Sequence, residues 1–145
     1  MTILHTVGNI FESETGVIAI PVNVLGVAGK GLALDAAQRY PEWLEDYRRW
    51  CHGAWKNPGN LHIKRCNDGK TLISFPTKIH WRMDSELELI DKGLTELERL
   101  SAQFPNGVAL PMLGCGLGGL DWPTVRLLIY KHFEKHPLKI DLYGP

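Results

Sequence analysis

Residues 22–31 read Val-Asn-Val-Leu-Gly-Val-Ala-Gly-Lys-Gly and join two segments of different character. Before them, residues 17–20 are all apolar, which is typical of a buried strand; after them, residues 32–39 have the pattern of a helix. Glycine at three of the last six positions lets the backbone adopt positive φ and approach a ligand closely. Because the first N–H groups of a helix have no partner within it, such a strand-to-helix turn is suited to bind an anion, most often phosphate.

A Walker A phosphate loop does not fit this turn. That motif has four residues between its first glycine and Gly-Lys, whereas only two residues separate Gly26 from Gly29. In addition, Lys30 is followed by a glycine, which has no hydroxyl for magnesium. An isolated glycine-rich turn is also compatible with tight packing alone. The turn by itself therefore leaves a phosphate site and a purely structural turn open.

A second turn of the same kind follows residues 108–113, which are again apolar. Residues 114–119 read Gly-Cys-Gly-Leu-Gly-Gly, and residues 121–123, Asp-Trp-Pro, have the pattern of a helix N-cap with proline in the first turn. This turn matches GxGxxG, and Asp141 lies at the distance that a dinucleotide fingerprint requires. Because only four residues follow Asp141, we expect no second half of a Rossmann domain. We expect instead that the two glycine loops hold one diphosphate between them.

The composition is that of an ordinary globular domain. The 145 residues predict a single domain, 1–145, with 44% apolar and 22% charged residues. No apolar run approaches the length of a membrane span and the N-terminus lacks a signal-peptide pattern, so we expect a cytoplasmic protein with no membrane partner. Three cysteines (Cys51, Cys66 and Cys115) show no CxxC spacing, which argues against a disulfide framework and a zinc knuckle.

Two histidines are candidates for a metal site. His132 and His136 lie four residues apart on a predicted helix. However, His136 precedes Pro137 and is therefore placed at the helix C-terminus, where an imidazolium meets the negative end of the helix dipole. We expect no metal ion and no cofactor.

The charges are balanced overall but not along the chain. With 16 basic and 16 acidic residues, the molecule as a whole is not a nonspecific nucleic-acid binder. Residues 30–82 contain ten Lys/Arg against five acids, whereas residues 84–99 contain six acids against two bases. Two solvated helix faces of different sign explain this distribution. A positive surface that helps to hold a nucleic-acid strand is the alternative.

The remaining pattern predicts an α/β sandwich with helices on both faces of a six-stranded sheet. Strands are predicted at residues 2–7, 17–22, 61–65, 71–75, 108–113 and 138–142, and helices at 32–40, 42–54 and 122–135. A further helix begins with a capping box of Ser85 and Glu88 and has an apolar stripe of Leu87, Ile90, Leu94 and Leu97, with Phe104 as a candidate extension. The sequence Asn67-Asp68-Gly69 predicts an antiparallel hairpin in an otherwise parallel sheet. Trp43, Tyr47 and Trp50 recur at helical spacing and are predicted to be core.

Four motifs together resemble the macrodomain family. They are Gly8-Asn9-Ile10, Val22-Asn23 with residues 26–31, Phe75-Pro76-Thr77-Lys78 with His80-Trp81, and residues 114–122. They occur in the family's order and spacing over residues 7–130. The chain is most similar to the branch of DarG-like DNA ADP-ribosyl glycohydrolases and, more distantly, to the terminal ADP-ribose glycohydrolases. The resemblance implies a three-layer α/β/α macrodomain with a mixed, mostly parallel six-stranded sheet.

The resemblance also implies an ADP-ribose pocket across the carboxyl ends of the strands. Asn9 takes the position that contacts adenine, where many macrodomains have aspartate, and Asn23 orients the distal ribose. Tyr143 is placed to cover the adenine, although an ordinary surface tyrosine fits its position equally well. The ADP-ribose-binding residues expected in this way are Gly8, Asn9, Ile10, Asn23, Gly26, Val27, Ala28, Gly29, Lys30, Gly31, Thr77, Gly114, Cys115, Gly116, Leu117, Gly118, Gly119 and Tyr143.

By the same resemblance Lys78 is the expected catalytic residue. Cleavage at the anomeric carbon passes through an oxocarbenium-like state, or opens the sugar to an aldehyde that an amine can attack. As a nucleophile Lys78 must be neutral, as an acid it must be charged, and a third role is simple pairing with a phosphate. The terminal ADP-ribose glycohydrolases carry an aspartate where this chain has Gly118, so a carboxylate partner is missing there. Asp121 is the nearest carboxylate in sequence, but its pattern is that of an N-cap.

The resemblance implies an ADP-ribosyl hydrolase that removes ADP-ribose from a modified carrier, most readily thymidine in DNA. A non-catalytic ADP-ribose-binding module and a hydrolase of ADP-ribose 1''-phosphate or O-acetyl-ADP-ribose are the alternatives. The expected partners are ADP-ribose or an ADP-ribosylated substrate, with single-stranded DNA as a further one, and a toxin partner is left open. A dehydrogenase is disfavoured because no second nucleotide-binding half fits in the chain.

Overall fold

The computed structural model of the chain describes residues 2–144. A six-stranded sheet lies between two pairs of helices. The strands are β1 (Ile3–Thr6), β2 (Val17–Val22), β3 (His62–Arg65), β4 (Thr71–Pro76), β5 (Val108–Leu110) and β6 (Ile140–Tyr143), in the order β1-β6-β5-β2-β4-β3. The helices are α1 (Gly31–Arg39), α2 (Pro41–Ala54), α3 (Leu87–Arg99) and α4 (Trp122–Phe133). Only the β3–β4 pair is antiparallel among the pairs described, so the predicted mixed, mostly parallel sheet is confirmed.

The two faces of the sheet bury two separate cores because side chains alternate along each strand. In β2, Ile18 and Ile20 pack with the buried residues of α1 and α2, whereas Ala19 packs with those of α3 and α4. The predicted aromatic stripe of α2 packs in the core: Trp43 and Tyr47 are fully buried, and Trp50 is half-buried against the same core. Strand β2 is therefore covered by helices on both faces, as the predicted three-layer α/β/α arrangement requires.

The predicted hairpin between β3 and β4 is also confirmed. The N–H of Cys66 donates to the carbonyl of Lys70 at 2.7 Å, and Gly69 has φ +91°, a conformation that favours glycine. The antiparallel strand therefore lies at the sheet edge beyond β4, away from the two glycine loops.

The predicted capping box of α3 is wrong. The N-cap is Glu86, without a side-chain hydrogen bond, and the Ser85 hydroxyl instead donates to the hydroxyl of Thr77 at 3.2 Å. Leu87 is 38% exposed and Leu89 takes its place in the buried stripe. Phe104 is buried but follows a separate 3-10 turn, Ser101–Gln103, and is not part of the helix.

Several element ends differ from the prediction. Strand β5 ends at Leu110, three residues early, because Pro111 has no N–H to continue the ladder. Strand β1 is shorter at both ends than predicted, β6 covers residues 140–143 rather than 138–142, and α4 ends two residues early. The predicted N-cap of α4 is confirmed, since the Asp121 carboxylate accepts from the N–H of Thr124 at 3.2 Å.

Five of the strands run in the same direction, so their carboxyl ends meet at one edge of the sheet. The turn after β1, the two glycine loops and the segment after β4 all start there. Within residues 2–144, no helix combines the length and the apolar character that crossing a bilayer requires.

Candidate functional site

A cavity of about 1060 Å³ opens at the carboxyl ends of the strands. Its volume is at the upper end of the range for small-molecule and cofactor sites. All but three of the residues expected to bind ADP-ribose line it, together with Lys78. They are Gly8, Asn9, Ile10, Asn23, Val27, Gly29, Lys30, Gly31, Thr77, Gly114, Cys115, Gly116, Leu117, Gly118 and Tyr143. The structure thus brings four separate motifs to one cavity, and their contacts with ADP-ribose stay a prediction.

The three expected residues outside the cavity lining have other surroundings. Gly26 lies on the outer side of the first glycine loop, where its carbonyl accepts from Nε of Arg48 at 3.1 Å. Ala28 is buried in the core beside α1 and α2. Gly119 lies at the end of the second loop and has φ +79°, a backbone conformation that favours glycine over other residues.

The buried Asn23 side chain holds the first glycine loop in shape. Its Nδ2 donates to the carbonyl of Val27 at 2.8 Å, and its Oδ1 accepts from the N–H of Leu25 at 3.0 Å. The hydroxyl of Tyr47 donates to the Asn23 carbonyl at 2.7 Å from the core side. Burial raises the pKa of Tyr47 well above its usual range, so this hydroxyl keeps its proton. The loop is therefore rigid before any ligand arrives.

The N-terminus of α1 opens into the cavity. Its N-cap residue, Lys30, supplies no side-chain hydrogen bond. Within residues 2–144 no hydrogen-bond acceptor is found for the N–H groups of Gly31 and Leu32, both of which line the cavity. Free N–H groups at the positive end of a helix form an anion site. These donors support the predicted phosphate-binding role of the first loop, which stays a prediction.

The second glycine loop presents a similar set of donors. In the described part of the chain, the N–H groups of Gly116, Leu117 and Gly118 have no hydrogen-bond acceptor. The loop is closed on itself by the N–H of Leu120, which donates to the carbonyl of Gly114 at 2.9 Å. Consecutive backbone donors of this kind bind anions. These donors support the predicted binding of one diphosphate between the two loops, which stays a prediction.

Gly118 has no room for a side chain. A Cβ atom at this position would lie 2.4 Å from the carbonyl oxygen of Gly114 and 2.2 Å from Oγ of Ser85. The Gly118 carbonyl also accepts from the N–H of Ser85 at 2.8 Å. The position where terminal ADP-ribose glycohydrolases carry aspartate is therefore closed to any side chain in this loop conformation.

Thr77 ties both glycine loops to the end of β4. Its N–H donates to the carbonyl of Val22 at 2.9 Å, and its carbonyl accepts from the N–H of Glu86 at 2.8 Å. Its hydroxyl accepts from Ser85, and the residue is only 2% exposed. The backbone of Lys78, the next residue, is thereby fixed at the junction of the two loops.

The Lys78 side chain is half-buried and lines the cavity. Among residues 2–144 no carboxylate oxygen lies within 4.0 Å of its ammonium nitrogen. Within the described residues, the Lys78 amine thus has no carboxylate partner, and it lines the cavity where a ligand can contact it.

At the opposite end of the cavity, Asn9 caps a short 3-10 helix, Ile10–Glu12. Its Oδ1 accepts from the N–H of Phe11 at 3.0 Å, which leaves the NH₂ group and a second lone pair of the oxygen for a ligand. Tyr143 is half-buried beside it, and burial raises the pKa of its phenol. Beneath them the buried carboxylate of Asp141 accepts from the hydroxyl of Ser13 at 2.8 Å. Asp141 is therefore a structural anchor of this end of the cavity.

Sequence reasoning missed several charged and polar residues of the cavity wall. They are Asp35, Arg39, Arg82, Asp84 and Ser85, and Trp81 was quoted in a motif without a role. Ser85 was assigned to a capping box, and the other residues belong to no motif that indicates a site. Asp35 and Arg39 are one helical turn apart on α1, and Arg82, Asp84 and Ser85 lie in the segment after β4. With Lys30 and Lys78 the wall has four cations against two carboxylates, a balance that suits a dianionic ligand.

A chain of Asp46, His62 and Ser74 has the composition of a catalytic triad. Nε2 of His62 lies 2.6 Å from Asp46, and its Nδ1 lies 2.7 Å from Oγ of Ser74. However, Ser74 is fully buried and also accepts from Nε1 of Trp43 at 3.0 Å. Burial lowers the pKa of His62 despite the neighbouring carboxylate, and the hydrogen bond from His62 lowers the pKa of Asp46. A hydroxyl without access to substrate cannot act as a nucleophile, so the chain is structural.

The two histidines considered as metal ligands have protein partners. His132 lies between Asp91, at 2.6 Å, and Glu98, and so bridges α3 and α4. Nδ1 of His136 accepts from the N–H of Leu138 at 3.0 Å. In the part of the chain that the structure describes, no three metal-ligating side chains are grouped to hold an ion.

Comparisons with known proteins agree with this geometry. The chain is 38% identical over 134 residues to a DNA ADP-ribosyl glycohydrolase of Mycobacterium tuberculosis, covering 90% of this chain but only 38% of that protein. The solved macrodomain of Mycobacterium tuberculosis DarG superposes with a TM-score of 0.90 at 36% identity, covering 99% of this chain and 97% of that one. Thermosipho africanus DarTG, solved in complex with ADP-ribose, has a TM-score of 0.87 at 28% identity, over 97% of this chain and 41% of that one. No family model matches the chain.

Proposed function

The chain belongs to the macrodomain family, with the macrodomains of DarG, and from this premise we propose that it removes ADP-ribose from a modified base in DNA. The curated relatives that carry the corresponding name are much longer, since the chain spans 38% of the Mycobacterium tuberculosis protein. The activity is therefore proposed for this chain from the geometry of its own cavity, and not from the name of the longer relatives. The observation that carries the proposal is one cavity that joins two sets of free backbone N–H groups to the ammonium group of Lys78.

The proposed pose of ADP-ribose follows from the charges of the ligand. Its diphosphate is the only anionic part, and the two glycine loops supply the unpaired N–H donors. The adenine then lies toward Asn9 and Tyr143, and the distal ribose toward Asn23 and Lys78. In this pose the anomeric carbon of the distal ribose, which carries the DNA base, faces the cavity mouth near Lys78.

Lys78 is the catalytic residue in this proposal. Hydrolysis replaces the base at the anomeric carbon by the hydroxyl of a water molecule, and the base leaves with a proton. A neutral Lys78 amine would attack the anomeric carbon of the ring-opened sugar, where the base is still attached as an iminium, and would expel the base with a proton. Water would then hydrolyse the imine left on Lys78, which frees ADP-ribose and regenerates the amine. A charged Lys78 would instead donate the proton to the leaving base, or stabilise its developing negative charge. The position of Lys78 supports all three routes, and substitution of Lys78 together with borohydride trapping separates them.

The test is a panel of ADP-ribosylated carriers: a thymidine-modified oligonucleotide, a glutamate peptide, a serine peptide and a phosphate ester. Wild type is expected to release ADP-ribose from the oligonucleotide, and Lys78→Ala to lower kcat by about 100-fold or more. Lys30→Ala is the matched control, because Lys30 lines the same cavity beside the phosphate site. It should raise KM without a comparable loss of kcat. Equal release by wild type and Lys78→Ala would remove the catalytic assignment.

Lys78→Arg and borohydride distinguish the routes. Arginine keeps the charge but cannot form the imine or release a proton near neutral pH. If the role is electrostatic, Lys78→Arg retains much of the activity that Lys78→Ala loses. Reduction of a reacting mixture with borohydride covalently links ADP-ribose to Lys78 only on the imine route, which mass spectrometry detects.

The panel also tests the two alternative functions. Calorimetric binding of ADP-ribose without release from any carrier would identify a binding module. Release of phosphate from the ester alone would identify an ADP-ribose 1''-phosphate hydrolase.

A further inference from the structure

A second concave surface lies on the outer side of the first glycine loop. It is a groove of about 370 Å³ between residues 24–26 and the C-terminal half of α2, and we call it the outer groove. Its lining is Val24, Leu25, Gly26, Arg48, Cys51, His52 and Trp55. Nothing in the proposed reaction uses any of these side chains. The outer groove is therefore available for another contact.

The outer groove combines an exposed aromatic ring with positive charge. Trp55 is 60% exposed, although a tryptophan at an ordinary surface position tends to bury its ring. Nζ of Lys56 lies 5.6 Å from the centroid of that ring, within cation–π range. Arg48 and His52 line the groove, and no carboxylate does so. A flat aromatic face beside cations is suited to a nucleotide, whose base stacks and whose phosphate is anionic.

An exposed surface connects the outer groove to the mouth of the cavity. The N–H of Val24 donates to the carbonyl of Ile79 at 3.2 Å, so the loop after β4 lies directly beside the groove. In that loop Trp81 is 44% exposed, lines the cavity, and carries the Arg82 guanidinium 4.6 Å from its ring centroid. Leu25, at the groove edge, is 48% exposed. Two tryptophans, each with a cation over its ring, thus mark the two ends of one surface.

We propose that the outer groove binds a nucleotide that flanks the modified base in single-stranded DNA, with its base stacked on Trp55 and its phosphate beside His52 and Lys56. The inference rests on the proposed function, because it assumes that the modified base enters the cavity from a DNA strand. Three of the ten basic residues between Lys30 and Arg82, namely Arg48, Lys56 and Arg82, belong to this surface. A strand is favoured over a protein partner because the groove is small and its charges have one sign.

The experiment compares one modified base in two contexts, as a mononucleotide and within a single-stranded oligonucleotide. Trp55→Ala should raise KM for the oligonucleotide by about 5- to 20-fold, which corresponds to the lower part of the range for one stacked base. KM for the mononucleotide should not change, because Trp55 does not line the cavity. Trp55→Phe keeps a ring and should retain most of the oligonucleotide preference. Lys56→Ala should reduce the slope of log K against log salt by about 0.7, the value for one phosphate of a single strand.

Leu127→Ala is the matched control. Leu127 is also a large exposed apolar residue, but it lies on α4, on the other face of the sheet. Arg48→Ala is unsuitable as a test because Arg48 donates to the Gly26 carbonyl and so supports the glycine loop. ADP-ribose binding measured by calorimetry verifies that each variant keeps its fold.

Direct binding of an unmodified oligonucleotide, measured by fluorescence anisotropy, separates this inference from the proposed function. If wild type releases no ADP-ribose from DNA but Trp55→Ala binds the oligonucleotide about 5- to 20-fold more weakly than wild type, the proposed hydrolase function is refuted and the outer groove is supported as a DNA-binding site. If wild type releases ADP-ribose from both substrates and Trp55→Ala matches it in KM and in affinity, the outer groove is not a DNA site. Self-association of wild type that Trp55→Ala abolishes, with no oligonucleotide binding, would overturn the inference in favour of a second copy of this chain.

Discussion

Replacement of Gly118 by alanine should open the second glycine loop. The added Cβ would lie 2.4 Å from the Gly114 carbonyl oxygen and 2.2 Å from Oγ of Ser85, far inside the contact distances that real side chains show. The Ser85 hydroxyl can rotate away, but the Gly114 carbonyl is backbone and already accepts from the N–H of Leu120. The loop must therefore move as a unit, and the hydrogen bond from Ser85 to the Gly118 carbonyl is strained or lost.

The cost follows from overpacking and from that hydrogen bond. Overpacking at a well-packed site destabilises by about 1–3 kcal/mol, and a typical hydrogen bond contributes about 1 kcal/mol. For a chain of 145 residues a total of about 2–4 kcal/mol lowers Tm by roughly 7–13 °C. Because the moved loop carries the free N–H groups of residues 116–118, ADP-ribose affinity should fall as well, by about tenfold or more.

Gly116→Ala is the matched control for stability, since a Cβ at Gly116 would meet no protein atom within 4 Å. Thermal unfolding of the two variants and of wild type gives the comparison, and calorimetry with ADP-ribose gives the affinity. Gly118→Asp should behave at least as badly as Gly118→Ala, and it should not create a catalytic acid. Equal Tm values for Gly116→Ala and Gly118→Ala would refute the packing argument.

Three further predictions concern buried polar groups. The folded-state pKa of His62 lies below its ordinary value of about 6.5, so the ring should stay neutral in the folded protein just below that pH. Because the unfolded chain then binds a proton that the folded protein does not, the free energy of unfolding should decrease as pH falls below about 6.5. An NMR titration of the His62 ring checks the pKa, and urea unfolding at several pH values checks the stability. Asp141→Asn replaces the carboxylate that accepts from the Ser13 hydroxyl by an amide, which is a poorer acceptor, and should lower the free energy of unfolding by about 1–3 kcal/mol, measured by urea unfolding. Asn23→Asp removes the donor to the Val27 carbonyl and should weaken ADP-ribose binding by about tenfold, measured by calorimetry; unchanged affinity would contradict the rigid-loop argument.

The sequence predicted the elements whose signals are local and repeated. The helical stripe of Trp43 and Tyr47, the alternation around β2 and the turn at Gly69 all appear as expected. These signals depend on periodicity and turn chemistry, which the chain carries within a few residues. The two glycine loops were predicted for the same reason, because glycine is required locally where φ is positive, as at Gly26 and Gly114.

The sequence-based predictions were wrong at positions whose environment is determined by a residue from another part of the chain. Ser85 and Glu88 have the spacing of a capping box, but the Ser85 hydroxyl finds Thr77, eight residues away, and is buried under the second glycine loop. Gly26 has the same local pattern as Gly29, yet it faces the outer groove because Arg48 of α2 packs against it. Neither partner can be read from the sequence near the residue itself.

The back of the first glycine loop explains why its front can bind an anion without rearrangement. Loop carbonyls need donors when they are turned away from solvent, and here Asn23, Tyr47 and Arg48 supply them at Val27, Asn23 and Gly26 respectively. These donors hydrogen-bond the loop carbonyls on the side that faces the core and α2. The N–H groups at the start of α1, which line the cavity, keep no hydrogen-bond acceptor among the described residues. A loop fixed in this way pays little ordering entropy when ligand binds. Two of the three residues that supply these donors, Tyr47 and Arg48, therefore lie on α2, outside the motifs that identify the loop in the sequence.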